Sequence, residues 1–231
     1  MALSEWQKAI DSFRTILHLT MEHQSELAAE SLYSSAYCYE MLGEDLKLFT
    51  SLKDAEKLKK HLSDEIRLAE LPARLASAHY KKGDVVLADQ YFQEADRGMA
   101  QLKVQKGAAL SKSWVSKTYF KMGGLISSQL APNNLKSHME SLGKMQLFIL
   151  KSVEHGGEPW SERAADNLRR NYMDVWTVIM SWPKDSNLDP MAAHKTQVEK
   201  QEQLLIELLN TIEKFRTYVA PESLETNKSI N

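Results

Sequence analysis

The residue types that usually carry out catalysis are scattered along this chain. His18 and His23 are five residues apart, so a helix would not place them on one face as a metal pair requires. The single cysteine, Cys38, lies between Tyr37 and Tyr39, where a cysteine is more often a small buried apolar residue than a nucleophile. No zinc-binding, P-loop or nucleophile-elbow motif is present. We therefore expect no enzymatic activity, no metal and no cofactor.

Four lysines lie close together in the segment LKDAEKLKKHL, residues 52–62, and could in principle contact phosphate. Asp54 and Glu56 dilute their charge, and no arginine cluster accompanies them. A solvated helix face is the favoured interpretation, and nucleic-acid binding is a weak alternative. The four residues are Lys53, Lys57, Lys59 and Lys60.

The overall composition is that of an ordinary globular protein. The chain has 231 residues, of which 43% are hydrophobic and 26% charged, and its formal net charge is −2. This balance predicts no general attraction to nucleic acid or to a membrane surface. No segment approaches the roughly 18 consecutive apolar residues of a membrane span, so we expect no membrane insertion. One cysteine excludes an intramolecular disulfide.

The periodicity of the apolar residues predicts an all-helical chain. Leu32, Ala36 and Tyr39 recur at intervals of three and four, as the core-facing side of an amphipathic helix does. Only 9 glycines and 6 prolines interrupt long segments rich in good helix formers. Strict apolar–polar alternation, which would indicate strands, is hard to find.

Three similar stretches align without gaps and place a glycine at a constant interval. Gly43, Gly83 and Gly123 are separated by forty residues and again by forty, and each follows an amphipathic segment that contains Tyr39, His79 or Tyr119. A glycine there favours a positive φ, which ends one helix and lets the next fold back. The pattern predicts repeated helix–turn–helix units.

The segment LASAHYKKGDVVLADQYFQEA resembles a tetratricopeptide repeat. It has Gly83 at the turn, and Ala88, Phe92 and Ala95 at the spacings of that family's second helix. The resemblance covers about residues 3–123, although the period is forty rather than the family's usual thirty-four. It implies a right-handed α-solenoid of helical hairpins whose concave groove binds a protein partner.

The resemblance also implies an organisation into three parts. Residues 1–130 would form the repeats, residues 131–220 a C-terminal helical extension that caps them, and residues 221–231 a flexible tail. The opening segment resembles an isolated second helix, with Ala9 and Phe13 in matching places. Either this helix caps the array or, as we favour, the chain is the C-terminal part of a longer repeat protein.

The last helix carries apolar residues at alternating intervals of three and four. This seam could form a dimerising coiled coil, or it could pack back on the preceding helices, which we favour because solenoids need a terminal cap. Its members are Val198, Gln201, Leu205, Leu208, Ile212, Phe215 and Val219.

The resemblance implies which side chains line the groove. Four of them are aromatic and suit an extended peptide or a partner helix, although each ring could equally pack between helices as core. Tyrosines stand where the carboxylate-binding repeats of the family have Lys and Asn, so recognition of a carboxylate tail is not expected. The implied groove residues are Tyr33, Tyr37, Glu40, Ser77, Tyr80, Lys117 and Phe120, with Glu30, Ala73 and Ser113 beside them.

A second aromatic group lies in the C-terminal part. Trp160, Trp176 and Trp182 accompany Tyr172 and Met180 in or beside one amphipathic segment. The interpretation we favour is an interface between the C-terminal helices and the repeats. A surface patch for a partner is the alternative.

These observations favour a protein–protein interaction scaffold or adaptor without catalysis. The alternatives are a chaperone-like holder of a client protein and a structural subunit that self-associates through residues 198–219. We expect a protein partner, no nucleic acid, and a monomer or weak homodimer. We expect a soluble chain. Many bacterial repeat proteins of this kind serve the cell envelope, so the cytoplasm and the periplasm are both open as its compartment. If the chain is part of a longer protein, any signal peptide would belong to that longer protein.

Overall fold

The computed structural model describes residues 2–20, 23–123 and 132–219. Every regular element in those ranges is a helix, which confirms the predicted all-helical class. The chain divides into two compact units, Met1–Leu110 and Ser111–Asn231. The predicted boundary after residue 130 and the predicted tail at 221–231 lie outside the described ranges.

The first unit is a series of helices in which each helix contacts the next one along the chain. A 3₁₀ turn at Lys59–His61 follows the third helix, and a π-helical turn at Ile66–Glu70 leads directly into the fourth. The helices are α1 (Ala2–Thr20), α2 (Ser25–Leu42), α3 (Asp45–Lys57), α4 (Leu71–Lys81) and α5 (Val85–Lys106).

Glycine reverses the chain after α2 and again after α4. Gly43 has a φ of 71° and Gly83 a φ of 82°, a left-handed conformation that glycine adopts without a Cβ clash. The N–H of Glu44 donates to the carbonyl of Tyr39 over 2.9 Å, and the N–H of Asp84 donates to the carbonyl of His79 over 3.0 Å. Each reversal therefore also satisfies a carbonyl at the end of its helix.

The π-helical turn before α4 has a local cause in Pro72. A proline has no N–H to donate to the carbonyl four residues earlier, which here belongs to Leu68. That carbonyl instead approaches the backbone of α5, where a Cβ added to Gly98 would lie only 1.8 Å from the Leu68 oxygen. Gly98 is therefore required by the close approach of two backbones.

Side chains from all five helices, α1 to α5, form or contact the core of the first unit. Ala9 and Phe13, which a lone helix would expose, pack against it from α1. On α5, the predicted positions Ala88, Phe92 and Ala95 are all buried. The central buried side chains include Ile10, Ala36, Tyr39, Leu52, Leu71 and Leu75.

The described part of the second unit has four α-helices, and the third of these along the chain contacts each of the other three. Its core contains Leu142, Ile149, Leu168, Val175 and Ile179. The helices of its described part are α6 (Lys112–Gly123), α7 (Leu135–Glu154), α8 (Trp160–Met180) and α9 (Pro190–Val219), of which α7 and α8 contact each other and α9.

Gly123 differs from the turn glycine that its spacing predicted. It is the last residue of α6, it is buried, and its φ lies outside the left-handed region. A Cβ there would lie 2.4 Å from Cδ1 of Ile149 on α7. The glycine is therefore needed for close helix packing, and the positive φ predicted at this position is wrong.

The predicted seam of α9 contributes to the core of its own unit. Leu208 is buried and Leu205 packs against the core, whereas Val198 is 37% exposed. Gln201 donates through Nε2 to the carbonyl oxygens of Ile179 and Met180, each over 3.1 Å, at the end of α8. Within the described side chains the seam therefore packs back on neighbouring helices. The side chains of Ile212, Phe215 and Val219 lie outside the described set.

Candidate protein-binding surface

Helix α2 places two predicted groove tyrosines in a line with glutamates. Glu26, Glu30, Tyr33, Tyr37 and Glu40 follow one another at intervals of four, three, four and three, so they share one face of the helix. The helix contains three glutamates and neither Lys nor Arg. This line is about 21 Å long, at 1.5 Å per residue.

The side chain of Arg74, on α4, packs against this face of α2. Its guanidinium lies 4.9 Å from the ring centroid of Tyr33 and 5.9 Å from that of Tyr37, within the range of cation–π attraction. Its Nη2 lies 3.0 Å from Oε2 of Glu40. The Arg74 side chain is only 8% exposed, whereas that of Glu40 is 38% exposed. We call Glu26, Glu30, Tyr33, Tyr37, Glu40, Glu70, Arg74, Ser77 and Tyr80 the α2–α4 face.

Glu70, in the π-helical turn, binds Tyr33, the more buried of the two α2 tyrosines. The hydroxyl of Tyr33 donates to its carboxylate over 2.5 Å. Burial, followed by the nearby Glu70 carboxylate, raises the pKa of Tyr33 far above its ordinary value. Tyr33 is therefore a fixed, neutral hydrogen-bond donor, and its ring supports Arg74.

Tyr37 gives the face its exposed aromatic surface. It is 38% exposed, and its ring meets Trp6 of α1 edge to face with the centroids 5.7 Å apart. Tyrosines with one edge packed and one edge open are common at protein interfaces, because they bury a large area with little loss of side-chain freedom.

The other predicted groove residues lie in different settings. Ser77 and Tyr80 are half-buried on α4, and Ala73 is buried at 4% exposure, so it does not line a groove as expected. Lys117 and Phe120 belong to the second unit. There the Lys117 ammonium and the Phe120 ring each lie 5.7 Å from the ring centroid of Trp160.

Arg74, Glu70 and Trp6 were not identified from the sequence. Arg74 is the one charged residue in the segment LPARLASAHY, and that isolation among small apolar residues is the signal that could have identified it. Glu70 precedes the segment that resembles a repeat, and nothing local indicates that it reaches Tyr33.

The lysines of residues 52–62 are largely neutralised. Lys53 bonds to Glu56, Lys57 lies 2.7 Å from Asp54, and Lys59 lies 3.3 Å from Glu94. This pairing agrees with a solvated helix face rather than a phosphate-binding patch.

Cys38 is buried, and burial raises the pKa of its thiol. Across residues 2–20, 23–123 and 132–219 there is no group of three or more His, Cys, Asp or Glu that could hold a metal ion. In the same ranges, no helix combines the length and the apolar character that crossing a bilayer requires.

A second exposed surface lies on α8. Met173, Trp176 and Met180 fall at intervals of three and four and are 56%, 45% and 51% exposed. Trp160 and Trp182 are half-buried in the same unit, whereas Trp176 is exposed. Trp176 corresponds to the surface-patch alternative of the sequence analysis.

No protein-family model, no curated protein and no solved structure matches the chain.

Proposed function

We propose that the chain is a protein–protein interaction scaffold without catalysis, which holds a partner peptide or helix on the α2–α4 face. The observation that carries this proposal is Tyr37, which is 38% exposed and whose ring contacts Trp6 and the guanidinium of Arg74. A rigid aromatic side chain in such a position can bury area against a partner without being ordered first.

The finer part of the proposal is that the first unit is a tetratricopeptide-like array in a right-handed solenoid. Support comes from the pairs α2–α3 and α4–α5, each joined by a short turn with a left-handed glycine. The ion pair between Arg74 and Glu40 adds to this, because it joins the first helices of successive hairpins.

Self-association through α9 is the weaker candidate. Leu204 and Leu208 of that helix are buried in the core of their own unit, and Gln201 bonds to the end of α8. A dimer through these side chains would require the unit to open first.

The proposal is tested by affinity capture from a lysate of the source cells, followed by mass spectrometry. The bait proteins are the parent chain, Tyr37→Ala and Trp176→Ala. Tyr37 is replaced alone because Tyr33 and Tyr80 are half-buried. Trp176 is a large ring exposed to a similar degree, 45% against 38%, in the second unit, so it controls for loss of an exposed aromatic side chain.

We expect a protein that the parent and Trp176→Ala retain and that Tyr37→Ala loses at least tenfold. Circular dichroism must show equal helicity for all three. A protein lost only by Trp176→Ala would move the binding surface to α8 and contradict the proposal, as would equal capture by all three.

A further inference from the structure

We infer that the segment bound on the α2–α4 face is cationic, an extended peptide or helix that presents Arg or Lys side chains. This inference rests on the proposed function and specifies the partner by its charge. The chemistry is visible in the chain itself, because the face already holds one guanidinium.

Arg74 shows how a cation is held there. Two tyrosine rings lie 4.9 and 5.9 Å from its guanidinium, and a glutamate oxygen lies 3.0 Å from its Nη2. Aromatic faces together with a carboxylate form the usual environment for arginine, whose planar group can stack and hydrogen-bond at the same time. An arginine from a partner would find the same two groups on the exposed side of the face.

Two of the carboxylates that could receive such a partner form no ion pair within the described part of the chain. Glu26 and Glu30 are exposed, and neither forms an ion pair with any residue that the structure describes. Together with Glu40, which pairs with Arg74, they give three α2 carboxylates on the face beside the guanidinium of Arg74. The face therefore attracts positive charge, and a partner with acidic side chains would meet repulsion.

The arrangement also favours a segment over a single ion. The distance from Glu26 to Glu40 is about 21 Å along the helix, which matches about six residues of an extended chain at 3.3 Å each. Tyr37 lies between the unpaired glutamates and Glu40. A segment with cationic side chains on both sides of an apolar one would therefore meet carboxylate, ring and carboxylate in order.

Fluorescence polarisation tests this directly with three labelled twelve-residue peptides of matched sequence. One carries four arginines and two leucines, one has lysine in place of each arginine, and one has glutamate. Each is titrated with the full chain in its parent form, as Glu26→Lys/Glu30→Lys, and as Glu154→Lys/Glu202→Lys. The last variant makes the same change in net charge at exposed positions of α7 and α9.

We expect the arginine peptide to bind the parent at least tenfold more tightly than the glutamate peptide, with the lysine peptide between them. Glu26→Lys/Glu30→Lys should weaken arginine-peptide binding at least tenfold, because repulsion replaces attraction at two positions. Glu154→Lys/Glu202→Lys should change it less than twofold. Equal loss in both variants would overturn the inference, since net charge alone would then explain binding. Failure of both cationic peptides to bind at 1 mM (about −4 kcal/mol) would also overturn it.

The same variants separate this inference from the proposed function. A captured partner that Tyr37→Ala loses and Glu26→Lys/Glu30→Lys retains would leave the binding face in place and reject its charge preference. A partner retained by Tyr37→Ala would reject the binding face itself.

Discussion

Nη2 of Arg74 on α4 lies 3.0 Å from Oε2 of Glu40 on α2, and this ion pair joins two helices that are not consecutive along the chain. Because Arg74 is buried and lies against the tyrosines of α2, it fixes the position of α4 relative to the face that presents Tyr37. The pair therefore connects the packing of the first unit to its proposed binding surface.

Removing the two partners of this pair should have unequal effects on stability. Glu40→Ala leaves a buried guanidinium without its counter-charge, and we expect it to lower the free energy of unfolding by about 2 kcal/mol. Arg74→Met keeps an apolar contact with the rings and leaves a carboxylate that water can reach, so about 1 kcal/mol is expected. Urea unfolding of both variants and of the double variant measures the difference. If Glu40→Ala left the free energy of unfolding unchanged, the ion pair would not stabilise the unit.

Gly98→Ala should destabilise the first unit more than a substitution at a turn glycine. The added Cβ would lie 1.8 Å from the carbonyl oxygen of Leu68, so the π-helical turn and α5 would have to separate. We expect a loss of about 2 kcal/mol or more in thermal or urea unfolding. Gly43→Ala is the control, because its Cβ meets nothing within 4 Å and only the left-handed backbone conformation opposes it. Equal losses for the two variants would contradict the close approach.

The ion pair between Glu65 and Lys106 predicts a pH dependence of stability. The hydrogen bond from Lys106 holds the pKa of Glu65 below its ordinary value of 4.5. Its stabilising contribution is therefore complete above pH 4.5 and is lost as the pH falls through the lower pKa of the folded state. Lys106→Met should lower the urea midpoint at pH 7 and have a smaller effect at pH 3. If Lys106→Met lowered the urea midpoint by the same amount at pH 7 and at pH 3, this assignment would be contradicted.

Gln201 is expected to stabilise the second unit through its bonds to the end of α8. Gln201→Leu removes the donor to the carbonyls of Ile179 and Met180, and we expect a loss of about 1 kcal/mol. Gln203→Leu changes an exposed glutamine of the same helix and should be nearly neutral. Chemical unfolding that shows Gln201→Leu to be as stable as the parent would argue against this role.

The sequence predicted the features of the fold that depend on residues close together along the chain. The three-and-four periodicity identified the helices, and the buried stripe at Ala88, Phe92 and Ala95 follows from it. Gly43 and Gly83 have the positive φ that a chain reversal requires. Asp189, directly before Pro190, accepts hydrogen bonds from the N–H groups of Met191 and Ala192, as a residue type that favours helix N-termini does.

The features that the sequence did not predict depend on contacts between distant residues. Gly123 has the same spacing as Gly43 and Gly83, but contact with Ile149 determines its role. Arg74 is buried because two tyrosines and a glutamate from α2 surround it, and no pattern within α4 reports that neighbourhood. The sequence therefore predicted side chains of both helices in one groove, whereas the Arg74 side chain that joins the two helices required the structure.

Site-specific photo-crosslinking tests the central claim most directly. A benzoylphenylalanine placed at Tyr37 of the full chain, or at Trp176 as the matched exposed position in the second unit, is irradiated in source-cell lysate. The α2–α4 face predicts a crosslinked protein from position 37 that is missing at position 176, with its crosslinked peptide carrying Arg or Lys. A crosslink at position 176 alone, or none at position 37, would contradict the account.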